Sequence, residues 1–359
     1  VSAAERAAAA ERAVLHRHVT HVWAIPGTAL GVNSWPPSGA HRLFLGWNYW
    51  WQAHLLDCLV DAETRDPRPD RRRMIRRLIR GVRLFNGGRW TNSYYDDMAW
   101  LALALQRTDA QLGTDHERAI GRLAGELLAA WSDDEGGGIP WRCGDVFKNT
   151  PANGPAAILL ARTGHLERAA ATADWIDGHL RDPATGLIWD GLRPGTDGRT
   201  RYETTIYGYC QGVVLGAEVE LARRLPVREA ESVRRVSRLV SAVETHLTRD
   251  GVLTGHRGGD SGLFSGILAR YLTLVAVRLP GDDPAAAAAR RTAGGLITRS
   301  ADAAWTNAAF EDGLPIFGPD WSRPAIRPRR AAKDDERDLS VQLSGWMLLE
   351  SAHLAATAD

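Results

Sequence analysis

Two adjacent carboxylates, Asp96 and Asp97, stand between aromatic residues in the stretch Asn92-Ser93-Tyr94-Tyr95-Asp96-Asp97-Met98-Ala99-Trp100. An acid pair can break an acetal: one carboxylic acid protonates the leaving oxygen while a second carboxylate attacks or activates water. That division needs one group ionised and the other protonated. Two acids in sequence oppose each other's ionisation, so one pKa should rise while helix amides hold the other down. The pair then titrates as a coupled system. Tyr94, Tyr95 and Trp100 offer flat apolar faces with polar tips, as a sugar ring requires. Asp is also common at helix starts for capping alone, but a cap needs no aromatic walls.

The pair must be positioned by a helix, because Leu101-Ala102-Leu103-Ala104-Leu105 continues as strong helix formers. Both acids then fall in the cap or first turn, where the helix dipole favours negative charge. Helical patterns recur along the chain at about 2–22, 41–61, 68–85, from the acid pair to 107, 115–131, 153–162, 165–180, 205–224, 228–247, 261–279, 284–304 and 338–356. Four glycine-containing turn segments, at Gly138-Ile139, Gly186-Leu187, Gly251-Val252 and Gly313-Leu314, punctuate the series after alternate hairpins. About twelve helices in antiparallel pairs form an internal repeat. Six hairpins can close into an all-α, (α/α)6 toroid with loops around a central cleft, and residues 1–359 show no composition break that would mark a second domain. The run Trp47, Tyr49, Trp50, Trp51 cannot all face one core, since helix neighbours lie about 100° apart. It either packs between helical layers or walls the cleft. The glycine-rich segment from Asp133 to Thr150 is too long for a tight turn, and long structured loops are often functional.

Composition removes several classes of function. With 44 basic and 43 acidic residues the formal charge is +1, so nucleic acid is not an expected partner. The arginines from Arg68 to Arg80 surround Met74, Ile75, Leu78 and Ile79 and are expected on a solvated surface helix. Cys58, Cys143 and Cys210 are too few and scattered for a disulfide framework or zinc, and no cofactor or metal is expected. The first residues lack an apolar leader and no later stretch reads as a membrane span. The expectation is a cytoplasmic protein with no membrane partner, or a secreted one whose leader has been removed. The oligomeric state is left open.

The chain resembles glycoside hydrolase family 76, the endo-α-1,6-mannanases with an (α/α)6 toroid. The resemblance rests on Tyr94-Tyr95-Asp96-Asp97-Met98-Ala99-Trp100, then the glycine-rich segment leading to Trp141 and Lys148-Asn149. It continues through Ala161-Arg162 with Gly164, Thr185-Gly186-Leu187-Ile188-Trp189-Asp190-Gly191, and Gln211-Gly212, covering about residues 40–350. Cys210 stands where the family pattern usually has Asn, and the stretch from Asp250 to Arg257 is only loosely similar. The resemblance implies hydrolysis of α-mannan or mannooligosaccharides with retention of configuration. Asp96 is then the nucleophile and Asp97 the acid/base, an order the residues themselves leave open. A mannose ring needs hydroxyl partners, for which Tyr94, Tyr95, Asn149, Asp190 and Gln211 are candidates. It also needs an aromatic face, for which Trp141 and Trp35 are candidates, whereas Trp189 is expected to pack between hairpins. Three alternatives share the architecture. A sugar 2-epimerase would use cleft histidines, but His16, His18 and His21 sit in the first helix and His256 alone lies in a turn loop. A silent glycan-binding protein would not need the acid pair. An unsaturated uronyl hydrolase would need a cation such as Lys148 at the substrate carboxylate.

Overall fold

A computed structural model of the chain describes residues 1–326 and 337–358. The proline- and arginine-rich stretch 321–333, which reads in the sequence as a connector to the last helix, lies outside the described residues from 327 on. Among the described residues there are twelve long helices. The first three are α1 (Ala3–His18), α2 (Tyr49–Arg65) and α3 (Pro69–Phe85). The next three are α4 (Tyr95–Leu112), α5 (Glu117–Ala129) and α6 (Thr150–Arg162). They are followed by α7 (Leu166–Leu180), α8 (Gly208–Arg224) and α9 (Glu229–His246). The last are α10 (Phe264–Arg278), α11 (Pro284–Thr306) and α12 (Leu339–Thr357).

The local chemistry explains where these helices begin and end. Ser2 and Glu5 form a capping box at the start of α1. Pro69 and Pro284 occupy first helical positions, where a missing N–H costs nothing. Gly113, with φ 64°, ends α4 in the left-handed conformation. Two expected boundaries are corrected. The first helix stops at His18, because Val19–Thr20 (β1) pairs with Leu30–Gly31 (β2). The second starts at Tyr49 rather than His41, because Phe44 and Gly46 take positive φ after a single helical turn, Gly39–Arg42.

Even-numbered helices pack in sequence, α2 on α4, α4 on α6, and so on until α12 returns to α2. They form the closed inner ring. Their residues are buried on nearly every face, and Trp346, Leu55, Leu101 and Leu215 are almost completely inaccessible. Each odd-numbered helix covers the outside with one apolar stripe. In α3 the stripe is Ile75, Leu78, Ile79 and Val82, while Arg73, Arg76 and Arg77 remain in solvent. The segment Gly259–Arg278, of mean hydropathy 1.2, is long and apolar enough to cross a membrane, contrary to expectation. In the fold it belongs to the ring: 67% of it is buried, and Arg270 binds Asp57 at 3.2 Å and Asp61 at 2.7 Å.

The outer-to-inner turn segments sit on one rim. Two are minimal hairpins, Thr248–Arg249 (β6) with Val252–Leu253 (β7) and Ala309–Glu311 (β8) with Leu314–Ile316 (β9). Both turn through Asp-Gly pairs at positive φ, Asp250-Gly251 and Asp312-Gly313, as tight hairpins require. A three-stranded sheet, Lys148–Asn149 (β3), Gly191–Pro194 (β4) and Thr200–Glu203 (β5), ties the loops before α6 and α8 together. A side-chain amide at the fourth residue of an inner helix repeatedly grips the preceding loop. Gln52 bonds both the N–H and C=O of Gly31 (2.7 and 2.9 Å), and Asn153 those of Ile139 (2.8 and 2.7 Å). Gln211 does the same for Ile188 (2.7 and 2.9 Å) and Gln342 for Phe317 (3.1 and 2.9 Å).

Candidate active site

Because the inner helices run parallel, their N-termini converge on one end of the ring. A cleft of about 810 Å³ opens there. The start of α2 contributes Tyr49 and Trp50 with Trp47 and Asn48 before it, and the start of α4 contributes Asp96 and Asp97 beside Tyr94. Asn149 and Pro151 come from the start of α6, Tyr207 and Tyr209 from α8, and Asp260 and Phe264 from α10. Between α7 and α8, Asp190 reaches the same space. The aromatic run of α2 therefore walls the cleft at Trp47, Tyr49 and Trp50. Trp51 turns to α10, where Nε1 donates to Asp260 at 3.0 Å.

The two central acids have different partners. Asp96 accepts from the Trp141 indole N–H at 3.0 Å and from the Asp97 backbone N–H at 2.8 Å. Asp97 accepts from the Asn92 amide at 2.6 Å. Burial raises the Asp96 carboxyl to about 6 against the lowering effect of its donors. Asp97 is pushed well above the carboxylate range, first by burial and then by the charge of Asp96. Asp190 is raised to about 7 by burial, with Glu203 and Asp96 adding to the effect. Asp260 adds negative charge that raises both members of the pair. No Lys or Arg is among the described residues lining the cleft. The inner-helix N-termini set positive charge against these four carboxylates, and the Arg193 guanidinium adds to it at Asp190. The arrangement sets an ionisable acid beside a protonated one among hydroxyl-bonding and aromatic groups.

The sequence candidates separate on this geometry. Asp96, Asp97, Tyr94, Trp141, Asn149 and Asp190 line the cleft. Tyr94 meets the Trp141 ring edge-on at 5.2 Å. Asn149 has two duties, since its side-chain carbonyl caps α6 on the Ala152 N–H at 3.2 Å. Gln211 does not reach the cleft: it is fully buried, and its amide is consumed by Ile188 and the Tyr207 carbonyl. Tyr95, the next residue, is absent from the cleft lining: it is half-buried, packs against the edge of the core and meets the exposed Cys143. Trp35 lies away from the cleft, under the Arg17 guanidinium at 5.0 Å. Trp189 is half-buried and packs on the exposed Tyr202 of β5.

The glycine-rich loop acts as a delivery arm. Lys148 is buried, and its ammonium donates to the carbonyls of Ser132, Asp134 and Gly137 at 3.1, 2.5 and 2.6 Å. That leaves it unsuited to a uronate. Trp141 is held by its backbone N–H to Phe147 O at 2.7 Å and its carbonyl to Tyr95 N at 3.0 Å. No histidine is among the described lining residues. His18 is bound to Val32 O and His21 to Thr28 O, while His256 packs beside Tyr207 and Phe264. Asn92, Asp260, Phe147, Tyr207 and Tyr209 were not singled out as site residues from sequence. Only Asn92 carried a signal, its place five residues before Asp97.

The model of glycosyl hydrolase family 76 matches residues 4–356. No curated protein sequence matches the chain. Among solved structures, the α-1,6-mannanase of Salegentibacter sp. is 29% identical with a TM-score of 0.85, covering 99% of this chain and 100% of that one. An inactive variant of the same enzyme, with two consecutive aspartates replaced by alanine, is complexed with α-1,6-mannotetrose at 28% identity, TM-score 0.85 and the same coverage. A protein of Listeria innocua is 27% identical at a TM-score of 0.84, covering 98% of this chain and 97% of that one.

Proposed function

Given that the chain belongs to glycosyl hydrolase family 76 and is a glycoside hydrolase, we propose that it cleaves α-1,6-mannosidic linkages in mannan or mannooligosaccharides by a retaining double displacement. The observation that carries this reading is the unequal environment of the adjacent acids. Asp96, with two donors and the lower pKa of the pair, is the nucleophile. Asp97, held protonated by burial and its neighbour, is the acid/base. In the first step the Asp97 proton passes to the glycosidic oxygen as the Asp96 carboxylate bonds the anomeric carbon and the C–O bond breaks. In the second, Asp97 takes a proton from water, whose oxygen displaces Asp96 and restores the configuration. Asp190 and Asn149 are proposed to bond ring hydroxyls, and Trp141 and Tyr94 to face the ring. The inactive double-aspartate variant that holds α-1,6-mannotetrose supports the substrate class.

Hydrolysis of linear α-1,6-mannooligosaccharides, compared with α-1,2- and α-1,3-linked ones, tests the proposal. The expected result is cleavage of the α-1,6 series alone, with Asp96→Asn and Asp97→Asn each folded and reduced by about three or more orders of magnitude. Equal activity on all linkages, or an active Asp96→Asn, would overturn it.

A further inference from the structure

Five apolar side chains around the end of α3 are left in solvent. Trp23 is 55% exposed, Leu43 56%, Leu45 63%, Leu84 42% and Ile25 40%. Phe85, next to Leu84, ties together the segments that carry them: its ring meets Trp23 at 5.2 Å, Phe44, the buried residue between Leu43 and Leu45, at 5.7 Å, and Trp47 at 4.7 Å. Trp23 Nε1 donates to the Leu43 carbonyl at 3.4 Å, joining the two loops that carry the patch. The backbone is shaped to present these groups: Trp23 and Phe44 sit at φ 46° and 56°, a region that such residues occupy only when their surroundings impose it.

Beside the patch runs the solvent face of α3, with Arg73, Arg76, Arg77, Arg80 and Arg83 exposed. Arg73, Arg76 and Arg77 have no acidic partner among the described residues, and Arg80 donates to Gly27 O at 3.1 Å, two residues from Ile25. The one acid of this helix, Asp70, is in its first turn against Arg68. In a chain of net charge +1, this face is a local positive field.

The composition of the surface selects its partner. A glycan is met by aromatic faces and hydroxyl-bonding groups, but four of these five side chains are aliphatic. A second copy would bring the same arginine face against this one, since a two-fold contact matches a patch with itself. An anionic lipid surface satisfies both halves: the indole and aliphatic groups enter the headgroup boundary and the guanidinium groups meet phosphates. We infer that the face formed by α3 and the loops at Trp23 and Leu43–Leu45 docks on an anionic bilayer surface. This replaces the expectation of no membrane partner with contact at the surface, without a span. Trp47, packed on Phe85, also walls the cleft, so a glycan rooted in that surface would lie beside the catalytic mouth.

Co-sedimentation of the full chain with vesicles of phosphatidylcholine, with and without phosphatidylglycerol, tests the inference. Binding is expected on the anionic vesicles alone and should fall with salt. Arg76→Gln with Arg77→Gln should weaken it by roughly fivefold per arginine, and Leu43→Ser with Leu45→Ser by about tenfold or more. Both pairs should keep the wild-type circular dichroism and hydrolyse soluble oligosaccharide at the wild-type rate. No sedimentation at low salt, binding unchanged in both pairs, or a dimer in light scattering that the leucine pair abolishes would each overturn it. Vesicle binding needs no catalysis, so this result stands apart from the test of the hydrolase reading.

Discussion

Asp96 and Asp97 are neighbours in sequence that meet different donors, and those donors make separate predictions. The proposed double displacement needs Asp96 ionised, so the acid limb of kcat/KM should lie near pH 6, to which burial raises its carboxyl. The alkaline limb should follow loss of the Asp97 proton at higher pH. Trp141→Phe removes a donor that favours the Asp96 anion. A hydrogen bond to a charged group is worth about 1.5–3 kcal/mol, so the acid limb should move up by about 1–2 pH units; an unmoved limb would deny Trp141 this role. The same shifts bear on stability. Asp96 keeps its proton to higher pH folded than unfolded, so its contribution is full below its ordinary value and is lost as pH rises through about 6. Asp96→Asn should therefore unfold less readily at pH 7 than the wild type, by on the order of 1–3 kcal/mol in a urea titration. The acid pair and its place in a first turn were legible in the local pattern of Asp and aromatics. Its donors were only partly so. Trp141 stood in a recognisable block, but its bond to Asp96 spans forty-five residues and a loop whose path depends on the buried Lys148. Asp260 has no local signature at all.

The inner helices show what a periodic pattern can and cannot reveal. Several helix boundaries follow from proline, glycine and capping residues within a few positions, as at Pro69, Gly113 and Asp283-Pro284. The start of α2 was misplaced because apolar residues run on through Leu43, Phe44 and Leu45, and only positive φ at Phe44 and Gly46 breaks the helix. Gln211 was misread for a related reason. A buried amide and a sugar-binding amide look alike in sequence, and only the register with Gln52, Asn153 and Gln342 identifies a loop clamp. Gln211→Ala would leave the buried N–H and C=O of Ile188 without their partner. The expected cost is about 2–6 kcal/mol in urea denaturation, at about 1–3 kcal/mol for each of the two unsatisfied groups, with KM for mannooligosaccharide changed little. A large rise in KM at unaltered stability would return Gln211 to the cleft.

The ring has two unlike ends, and its function depends on the difference. Parallel inner helices turn their N-termini to the cleft, where carboxylates gather with no Lys or Arg among the described lining residues, and their C-termini to the opposite end. There Arg107 and Arg270 bridge Asp57 and Asp61, and Arg65 joins Glu350 to Glu11. Alternating hairpins and turn glycines made a six-fold ring readable, but the ion pairs closing its far end join α2, α4, α10 and α12 across the whole chain and carry no local pattern. Arg107→Leu should cost about 3–5 kcal/mol of stability by leaving buried acids under-compensated, while the acid limb of the pH profile stays in place. A proton NMR time course of linear α-1,6-mannooligosaccharide hydrolysis, run with Asp96→Asn and Asp97→Asn alongside, tests the division of labour between the two aspartates most directly. Retention through Asp96 predicts that the α-anomer of the new reducing end appears first and mutarotates later, with both variants silent on the same timescale. Initial release of the β-anomer would contradict it.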